Sequence, residues 1–391
     1  MPQLPPARRR VGAAAHRRVG ATTAALATVA LAASLTAGSP AQATDTRTAT
    51  LGAPRVVTLP ASTMGTGPRT GAVAPVLAPS LTTFAHTFAS GGKTYSYRMV
   101  GTDPLKAAAT TTVATTLTSV SFVINGETVS PTWASYSAVL NSALFHPATL
   151  PGGKGQYGDL FMRTQFWAWL QTYNPRGVKN WHVNLAAPVT KPRITLTVPT
   201  GKGEVVTVRG VRVAVVDVTW FDAAVRASVT APAANVFTQL LAGNVVLCDP
   251  YSAASLATCG IGGYHSAVST ATGAHTYSFQ SYLAKGVFDA STGFVDLGPM
   301  SHELAEWLAD PYVNNAVPGW KSPLAPQYGC LGALESGDPV VTSQIVVNGL
   351  HYQDEAYVWW FARRPSLSWL GRYTWFNALT KLSVACTPPP L

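Results

Sequence analysis

The stretch 299–311, which reads PMSHELAEWLADP, constrains this chain more than any other part of its sequence. Its first proline suits the first turn of a helix, where the missing N–H is not needed, and its last proline prevents the helix from continuing. Leu304 and Leu308 are four residues apart and form an apolar stripe, while His302 and Glu306 share another face. The pattern predicts a short helix that presents a histidine and a carboxylate side by side.

The region around this helix is acidic, although the chain is basic overall with a formal charge of +10. Residues 286–320 contain no lysine or arginine, and their acids are Asp289, Asp296, Glu303, Glu306 and Asp310. Like charges at helical spacing repel each other by about 0.2–0.5 kcal/mol per pair. A divalent cation would turn this repulsion into attraction, and histidine with carboxylates is a suitable ligand set for zinc.

The spacing of His302, Glu303 and Glu306 matches the HExxH motif of zinc hydrolases, except that Glu306 stands where the second histidine would be. A carboxylate in place of an imidazole changes both the charge of the site and its metal preference. The alternative interpretation is a surface helix whose polar face is simply solvated.

The first 43 residues have the features of a signal peptide. Five arginines precede a run rich in Ala, Leu, Val and Thr at 19–35, and Ala41-Gln42-Ala43 fits a signal-peptidase site. Twin-arginine export and a retained membrane anchor are the alternatives, and the short apolar run disfavours the anchor. Residues 44–83 are rich in Ala, Thr, Pro and Gly, which predicts a flexible linker. We therefore expect a secreted, extracellular protein that leaves the membrane after cleavage.

The charge of the mature chain argues against a nucleic-acid partner. Removal of the signal peptide takes away five arginines and no acids, which lowers the formal charge from +10 to +5. The mature sequence contains no Lys/Arg cluster interleaved with aromatic residues. The expected partners are an extracellular peptide or a cell-wall polymer such as an acidic glycan. We expect the protein to be a monomer.

Four cysteines in an exported chain indicate two disulfides. Cys248 and Cys259 bracket a short loop and are expected to pair, and Cys330 would then pair with Cys386. Three connectivities are open in principle. Metal binding by these cysteines is disfavoured because no C-x-x-C spacing occurs.

Residues 84–391 are predicted to form a single α+β domain in which a mixed sheet is packed by a few helices. Hairpins are indicated across Ser90-Gly91-Gly92 and across Asn125-Gly126. A third hairpin is predicted to join strands at 194–198 and 204–208. Further predicted elements are an amphipathic helix at 157–170, a strand buried on both faces at 211–220, a helix or strand at 236–247, and a turn at Asn348-Gly349.

Four motifs, in this order, resemble those of a bacterial secreted family that is distantly similar to the plant phosphate-induced, exordium-like extracellular proteins. They are CGIGGYH at 259–265, SHELAEWLADP at 301–311, Trp320, and ESGD at 335–338. The resemblance implies an extracellular or cell-wall location and a zincin-like helix, but no established reaction. In the plant proteins a cysteine usually follows the E-x-x-D turn soon afterwards, whereas here Pro339 follows it and Cys330 precedes it.

Together with the spacing, the resemblance implies a metal site in which His302 and Glu306 bind from one helical face. Glu335 would be the third ligand, with Asp338 as its substitute, and water would take an open fourth position. Glu303 would be the general base that takes a proton from that water. Zinc is the expected ion, and calcium is the alternative because the ligand set is rich in oxygen.

His265 matches the histidine of the family's CGxHS-like segment, and two roles are open for it. It is either a further ligand or substrate-binding group, or a histidine satisfied by backbone carbonyls. Asp354 and Glu355 are assigned to a solvated loop.

Two functional hypotheses follow. The first is a secreted, zincin-like metallohydrolase that acts as a peptidase. The second is a non-catalytic extracellular or cell-wall-associated protein whose HELAE helix holds a structural ion or none.

Overall fold

The structure is a computed structural model that describes residues 47–54, 62–63 (backbone only), 80–106, 108–172, 180–288 and 294–388. The predicted signal peptide lies outside these residues, as does most of the predicted linker. All described residues fall in one compact unit. None of the helices in this part of the chain combines the length and the apolar character needed to cross a membrane.

The strands in chain order are β1 Ser62–Thr63, β2 Thr83–Ser90, β3 Lys93–Val100, β4 Thr110–Ile124, β5 Glu127–Val129, β6 Ala148–Leu150, β7 Gly153–Gly155, β8 His182–Leu185, β9 Val189–Thr197, β10 Gly203–Val208, β11 Val211–Asp217, β12 Val236–Gly243, β13 Val245–Cys248, β14 Cys259–Ile261, β15 Gly263–Thr270, β16 Gly273–Tyr282, β17 Ala316–Lys321, β18 Leu331–Ala333, β19 Gln344–Val347, β20 Leu350–Gln353 and β21 Val384–Ala385.

The α-helices are α1 Trp133–Leu140, α2 Tyr157–Gln165, α3 Trp167–Thr172, α4 Val218–Thr230, α5 Gly298–Ala309 and α6 Val358–Phe361. Short 3₁₀ turns occur at Pro326–Tyr328, Asp338–Val340 and Trp369–Gly371.

The largest sheet has the strand order β1-β15-β16-β12-β4-β5, and β8 and β9 also pair with β4. Its central strand β4 pairs in parallel with β8, β9 and β12 and antiparallel with β5, so the sheet is mixed. A second sheet has the order β10-β11-β13-β14. The prediction of an α+β fold with a mixed sheet is therefore confirmed.

The largest sheet separates two apolar cores. On one face lies α5, whose Trp307 stacks on Phe237 of β12 with the ring centroids 3.8 Å apart. On the other face lies α4, whose Phe221 packs against Tyr264 and Phe279 of the sheet. Alternate residues of a strand point to opposite faces, so β12 contributes to both cores. The candidate site lies on the α5 side.

Two of the predicted hairpins and the turn predicted at Asn348-Gly349 are confirmed. Strands β2 and β3 pair across Gly91-Gly92, β4 and β5 across Asn125-Gly126, and β19 and β20 across Asn348-Gly349. All six turn residues have positive φ, which glycine and asparagine adopt at least cost. Local turn chemistry was sufficient to predict these pairs.

The predicted hairpin between 194–198 and 204–208 is wrong. Both segments are strands, but β9 pairs with the long strand β4, and β10 pairs with β11. The glycine-rich turn permits the chain to reverse without fixing which strands meet. The apolar partners of β9 and β10 come from elsewhere in the chain.

Two element boundaries also differ from the predictions. The strand expected at 211–220 ends at Asp217, whose side chain accepts a hydrogen bond from Trp220 N at 2.9 Å and caps α4. The helix expected at 157–170 is divided into α2 and α3 at Phe166. The segment 236–247 forms the strands β12 and β13.

Both expected disulfides are present, Cys248–Cys259 and Cys330–Cys386. The described part of the predicted linker contacts the domain: Ala49 N donates to Thr207 O at 2.9 Å, and β1 pairs in parallel with β15. The sequence reading did not anticipate these contacts.

Candidate metal centre

Helix α5 is buried along its whole length, and His302 and Glu303 are each 0 % exposed. It lies between the largest sheet on one side and α2 and β20 on the other. The interpretation of this segment as a solvated surface helix is therefore wrong. The reason is that apolar residues cover more of the helix than the single stripe of Leu304 and Leu308, since Met300 and Trp307 are also in the core.

His302 presents an unprotonated nitrogen to two carboxyl groups. Gln353 Nε2 donates to Gly337 O at 2.8 Å, so its Oε1 faces His302 Nδ1, 2.9 Å away. An amide oxygen can only accept, so this network assigns the ring proton to Nδ1 and a lone pair to Nε2. That Nε2 atom lies 3.0 Å from Glu306 Oε1 and 3.7 Å from Asp338 Oδ1.

Glu306 is held in place by the turn that follows β18. Its Oε1 accepts hydrogen bonds from Gly337 N at 3.0 Å and from Asp338 N at 3.3 Å. The turn can approach this closely because Gly337 has no side chain, and a Cβ there would lie 2.4 Å from His302 Nδ1. The two predicted ligands of the helix and the predicted downstream turn therefore meet at one point.

Asp338 and Glu335 occupy different positions in this cluster. His302, Glu306 and Asp338 offer ligand atoms that all lie within 4.8 Å of one another, and all three side chains are buried. Glu335 is 1 % exposed and hydrogen-bonds to the Glu306 side chain. Asp338, which the sequence suggested as the substitute ligand, thus completes the set of three, and Glu335 lies behind Glu306.

Glu303 and His265 form a second set of ligand atoms with Glu306. His265 Nδ1 lies 3.4 Å from Glu303 Oε2 and 3.6 Å from Glu306 Oε2. Neither carboxyl oxygen of Glu303 has a hydrogen-bond partner among the described residues. Glu303 lies directly over Gly263 of β15, where a Cβ would be 2.6 Å from Oε1. Both candidate cation positions, His302–Glu306–Asp338 and His265–Glu303–Glu306, therefore share Glu306.

Burial controls the electrostatics of these groups. It raises the pKa of Glu306 to about 8, against the lowering effect of the Gly337 and Asp338 amides, and raises the pKa of Glu303 and of Asp338 well above the usual range. Neighbouring carboxylates add to the increase for Glu303. Burial also lowers the pKa of His302, and it lowers that of His265 to about 3 with a contribution from His302.

The cluster lacks a compensating base among the described residues. Arg163 is the sole buried lysine or arginine in this part of the chain, and it pairs with Asp159. A group of buried carboxylates without a cation is costly, so natural proteins protonate such groups or bind a metal ion there.

Three residues around the cluster were missed or misassigned by the sequence reading. Gln353 orients His302, and the assignment of Asp354 and Glu355 to a solvated loop is wrong because both are 0 % exposed. Glu355 accepts hydrogen bonds from Tyr157 OH at 2.9 Å and from Ser336 Oγ at 3.1 Å. The apolar run that follows at 356–362 was the available signal that this segment enters the core.

Asp310, which matches the end of the family helix motif, caps the segment after α5. It accepts hydrogen bonds from Asn314 N at 3.0 Å and from Asn315 N at 2.9 Å. It takes no part in either ligand set among the described residues.

A comparison with protein families, curated proteins and solved structures finds no match for this chain. The resemblance to the exordium-like proteins stays a prediction. The identification of the site rests on its geometry and chemistry.

Proposed function

We propose that this protein binds a divalent cation at His302, Glu306 and Asp338 and acts as a secreted metal-dependent hydrolase, with peptides as substrates. The observation that carries the metal site is the lone pair of His302 Nε2, which faces Glu306 Oε1 at 3.0 Å and Asp338 Oδ1 at 3.7 Å. Three acceptor atoms directed at one point repel each other unless a cation or a proton lies between them.

A metal ion explains this arrangement better than a proton does. Burial lowers the pKa of His302, which disfavours an imidazolium. The amides of Gly337 and Asp338 both donate to Glu306 Oε1, and hydrogen bonds of this kind favour the charged carboxylate. A ligand set with one neutral imidazole and two carboxylates suits zinc, whereas calcium prefers a shell of six to eight oxygens.

Glu303 is the group that we assign to catalysis. A bound zinc ion would act as a Lewis acid on the scissile carbonyl. Glu303 follows His302 in the chain, and its oxygens make no hydrogen bond within the described residues. Burial raises its pKa, and a bound cation nearby would lower it again, so that the ionised carboxylate could take a proton from water. His265, 3.4 Å from Glu303, would orient that carboxylate or contact the substrate. The signal-like N-terminus and the two disulfides support the secreted location.

The complete burial of the site favours a second candidate function, a structural ion. His302 and Glu303 are 0 % exposed, and His265 and Glu306 are 1 % exposed. A catalytic site needs a position that substrate can reach, whereas a structural metal site is closed by its protein ligands. In this alternative the ion ties α5 to the turn at 335–338 and Glu303 has no catalytic role.

Two substitutions test the proposal. Glu306→Gln should abolish stoichiometric metal, measured by elemental mass spectrometry on purified protein, because Glu306 belongs to both ligand sets. Glu303→Gln should keep the fold and the metal but lower peptide hydrolysis by about 10²–10⁴-fold, the usual contribution of a general base. Hydrolysis would be followed by mass spectrometry on a mixture of synthetic peptides.

Glu355→Gln is the matched control, since Glu355 is an equally buried acid outside both ligand sets, and it should keep its metal. Full metal content in Glu306→Gln would refute the metal site. The catalytic role would be refuted if Glu303→Gln hydrolysed peptides at the wild-type rate, or if the wild-type protein hydrolysed none. The structural-ion function would then be the remaining candidate. Loss of metal in Glu303→Gln would indicate that the cation binds to His265, Glu303 and Glu306 instead.

A further inference from the structure

A row of polar side chains lies on the face of the largest sheet that is turned toward α5. Three contacts identify this face: Gly263 lies under Glu303, His265 faces Glu303 and Glu306, and Phe237 stacks on Trp307. Residues paired between neighbouring strands point to the same face. The register of β12, β15 and β16 therefore shows which other side chains lie beside the metal centre.

Gln239 and Gln280 lie on this face. The pairing His265↔Ser278↔Gln239 runs across three strands, and the next pair on the same face is Gly263↔Gln280. Gln280 is therefore directly opposite the glycine on which the Glu303 carboxylate rests. Paired residues are about 4.5–5.5 Å apart between Cβ positions, so the Gln280 side chain leaves the sheet beside the strand position that lies under Glu303.

These amides are buried, and three of their four polar atoms lack a hydrogen-bond partner among the described residues. Gln280 is 0 % exposed and Gln239 is 1 % exposed. Both amide atoms of Gln280 and the Nε2 atom of Gln239 have no hydrogen-bond partner among the described residues. Buried polar groups in folded proteins are almost always satisfied, because leaving one unsatisfied is strongly destabilising. Two glutamines in this state, on neighbouring strands and on the same face of the sheet, point to a bound molecule that supplies the missing donors and acceptors.

We propose that Gln239 and Gln280 form a subsite for a neutral peptide group of the substrate, beside Glu303. This inference rests on the proposed hydrolase function. A glutamine side chain offers one acceptor and two donors, which match the N–H and C=O of a peptide bond. Neither glutamine carries a charge, so this subsite favours an uncharged amide. The neighbouring acidic cluster binds the cation.

The test uses the full chain, loaded with zinc, and an acetylated and amidated trialanine peptide as the probe. Gln280→Met and Gln239→Met keep the side-chain length and remove the hydrogen bonds. Each should weaken peptide binding, measured by isothermal titration calorimetry, by about tenfold, which is the upper range for one hydrogen bond. Metal content should not change.

Thr238→Val is the matched control. Thr238 is adjacent to Gln239 on β12, is 2 % exposed, and likewise has a hydroxyl without a partner among the described residues, but it pairs with Tyr277 on the opposite face. It should bind the peptide like the wild type. Equal weakening in Thr238→Val, or unchanged binding in both glutamine variants, would overturn the subsite.

A second measurement needs no variant. In protein labelled with ¹⁵N-glutamine, addition of the peptide should shift two side-chain amide signals, which the methionine variants would assign to Gln239 and Gln280. No shift and no binding in the wild type would mean that the amides hold only water, and the subsite would be rejected. Glutamine-dependent binding to a protein that retains no metal would instead refute the metal site alone.

Discussion

Buried acids occur both in the middle of helix α5 and at its C-terminal end, but the hydrogen bonding of their carboxyl groups differs between the two regions. At the end, Asp310 accepts hydrogen bonds from the backbone of Asn314 and Asn315. In the middle, both oxygens of Glu303 and the Oδ1 of the adjacent Asp338 have no hydrogen-bond partner among the described residues. Burial is therefore common to both regions, and they differ in whether the buried carboxyl oxygens accept hydrogen bonds from the described residues.

Asp354 belongs with Asp310 in this comparison. It accepts from Phe376 N at 2.6 Å, Ala378 N at 3.2 Å and Glu355 N at 2.8 Å. Burial still raises the pKa of Asp354 to about 6 and that of Asp310 to about 7. A raised pKa is therefore common to both groups, and the hydrogen bonds separate Asp310 and Asp354, which hold the chain, from Glu303 and Asp338, which we propose to act in the metal site.

Removal of the cation should have the largest effect. A ligand at about 1,000 times its dissociation constant stabilises the folded state by about 4 kcal/mol. Treatment with EDTA should therefore lower the melting temperature by several degrees in the wild type, measured by differential scanning calorimetry. Glu306→Gln should already melt at the lower temperature and should not respond to EDTA. An equal response of both proteins would contradict the metal site.

Substitution at the end of the helix should be nearly as destabilising but should leave the metal in place. Asp310→Ala leaves the buried backbone N–H of Asn315 and the partly buried N–H of Asn314 without their acceptor, and a stranded buried N–H costs about 1–3 kcal/mol. We expect a loss of about 3 kcal/mol in the free energy of unfolding, measured with urea, and full metal content. Loss of metal from Asp310→Ala would contradict the assignment of Asp310 to the backbone rather than to the metal site.

A change of pH should alter the stability of the metal-free protein less than the two preceding changes do, and the stability should fall as pH rises. Burial raises the pKa of Glu306 from 4.5 to about 8 and of Asp310 from 3.8 to about 7. The folded chain then keeps protons that the unfolded chain has lost, so stability should fall as pH rises from 6.5 to 8.5. The slope is about 1.4 kcal/mol per pH unit for each retained proton.

The lowered pKa of the buried His265 and His302 makes stability rise with pH, but only below their ordinary pKa of 6.5. Between pH 6.5 and 8.5 the change in stability therefore reports on the acids. Metal binding requires deprotonated ligands, so the zinc-loaded protein keeps no proton at Glu306 and its stability should depend less on pH over the same range. Urea unfolding of both forms at pH 6.5 and 8.5 would measure the two slopes. A metal-free protein that became more stable with pH would contradict the assignment.

Glu355→Gln should have the smallest effect. Burial raises the pKa of Glu355 well above the usual range, so the folded protein keeps it neutral. A glutamine amide resembles a protonated carboxyl group: its oxygen can accept from one of the hydroxyls of Tyr157 and Ser336, and its NH₂ group can donate to the oxygen of the other. We expect a change in the free energy of unfolding within about 1 kcal/mol. A larger loss would show that Glu355 is ionised in the folded state.

Much of the local structure was predictable because it depends on neighbouring residues. Pro299 and Pro311 delimit α5 through the loss of a backbone N–H and through steric limits before proline. The His302–Glu306 pair follows from the four-residue repeat of a helix, and it lies where that repeat predicts. Hairpins at Asn125-Gly126 and Asn348-Gly349 follow from positive φ at asparagine and glycine.

The sequence by itself determined where the chain turns, where α5 begins and ends, and which side chains the helix presents together, since backbone sterics and helical repeat act over a few residues. The tertiary structure alone decided that β9 pairs with β4, that Gln353 directs the His302 lone pair, and that Glu303 lies over Gly263. These outcomes depend on residues far apart in the chain. A free energy of burial or pairing exists only once the partner has been brought alongside, so no local pattern could have encoded them.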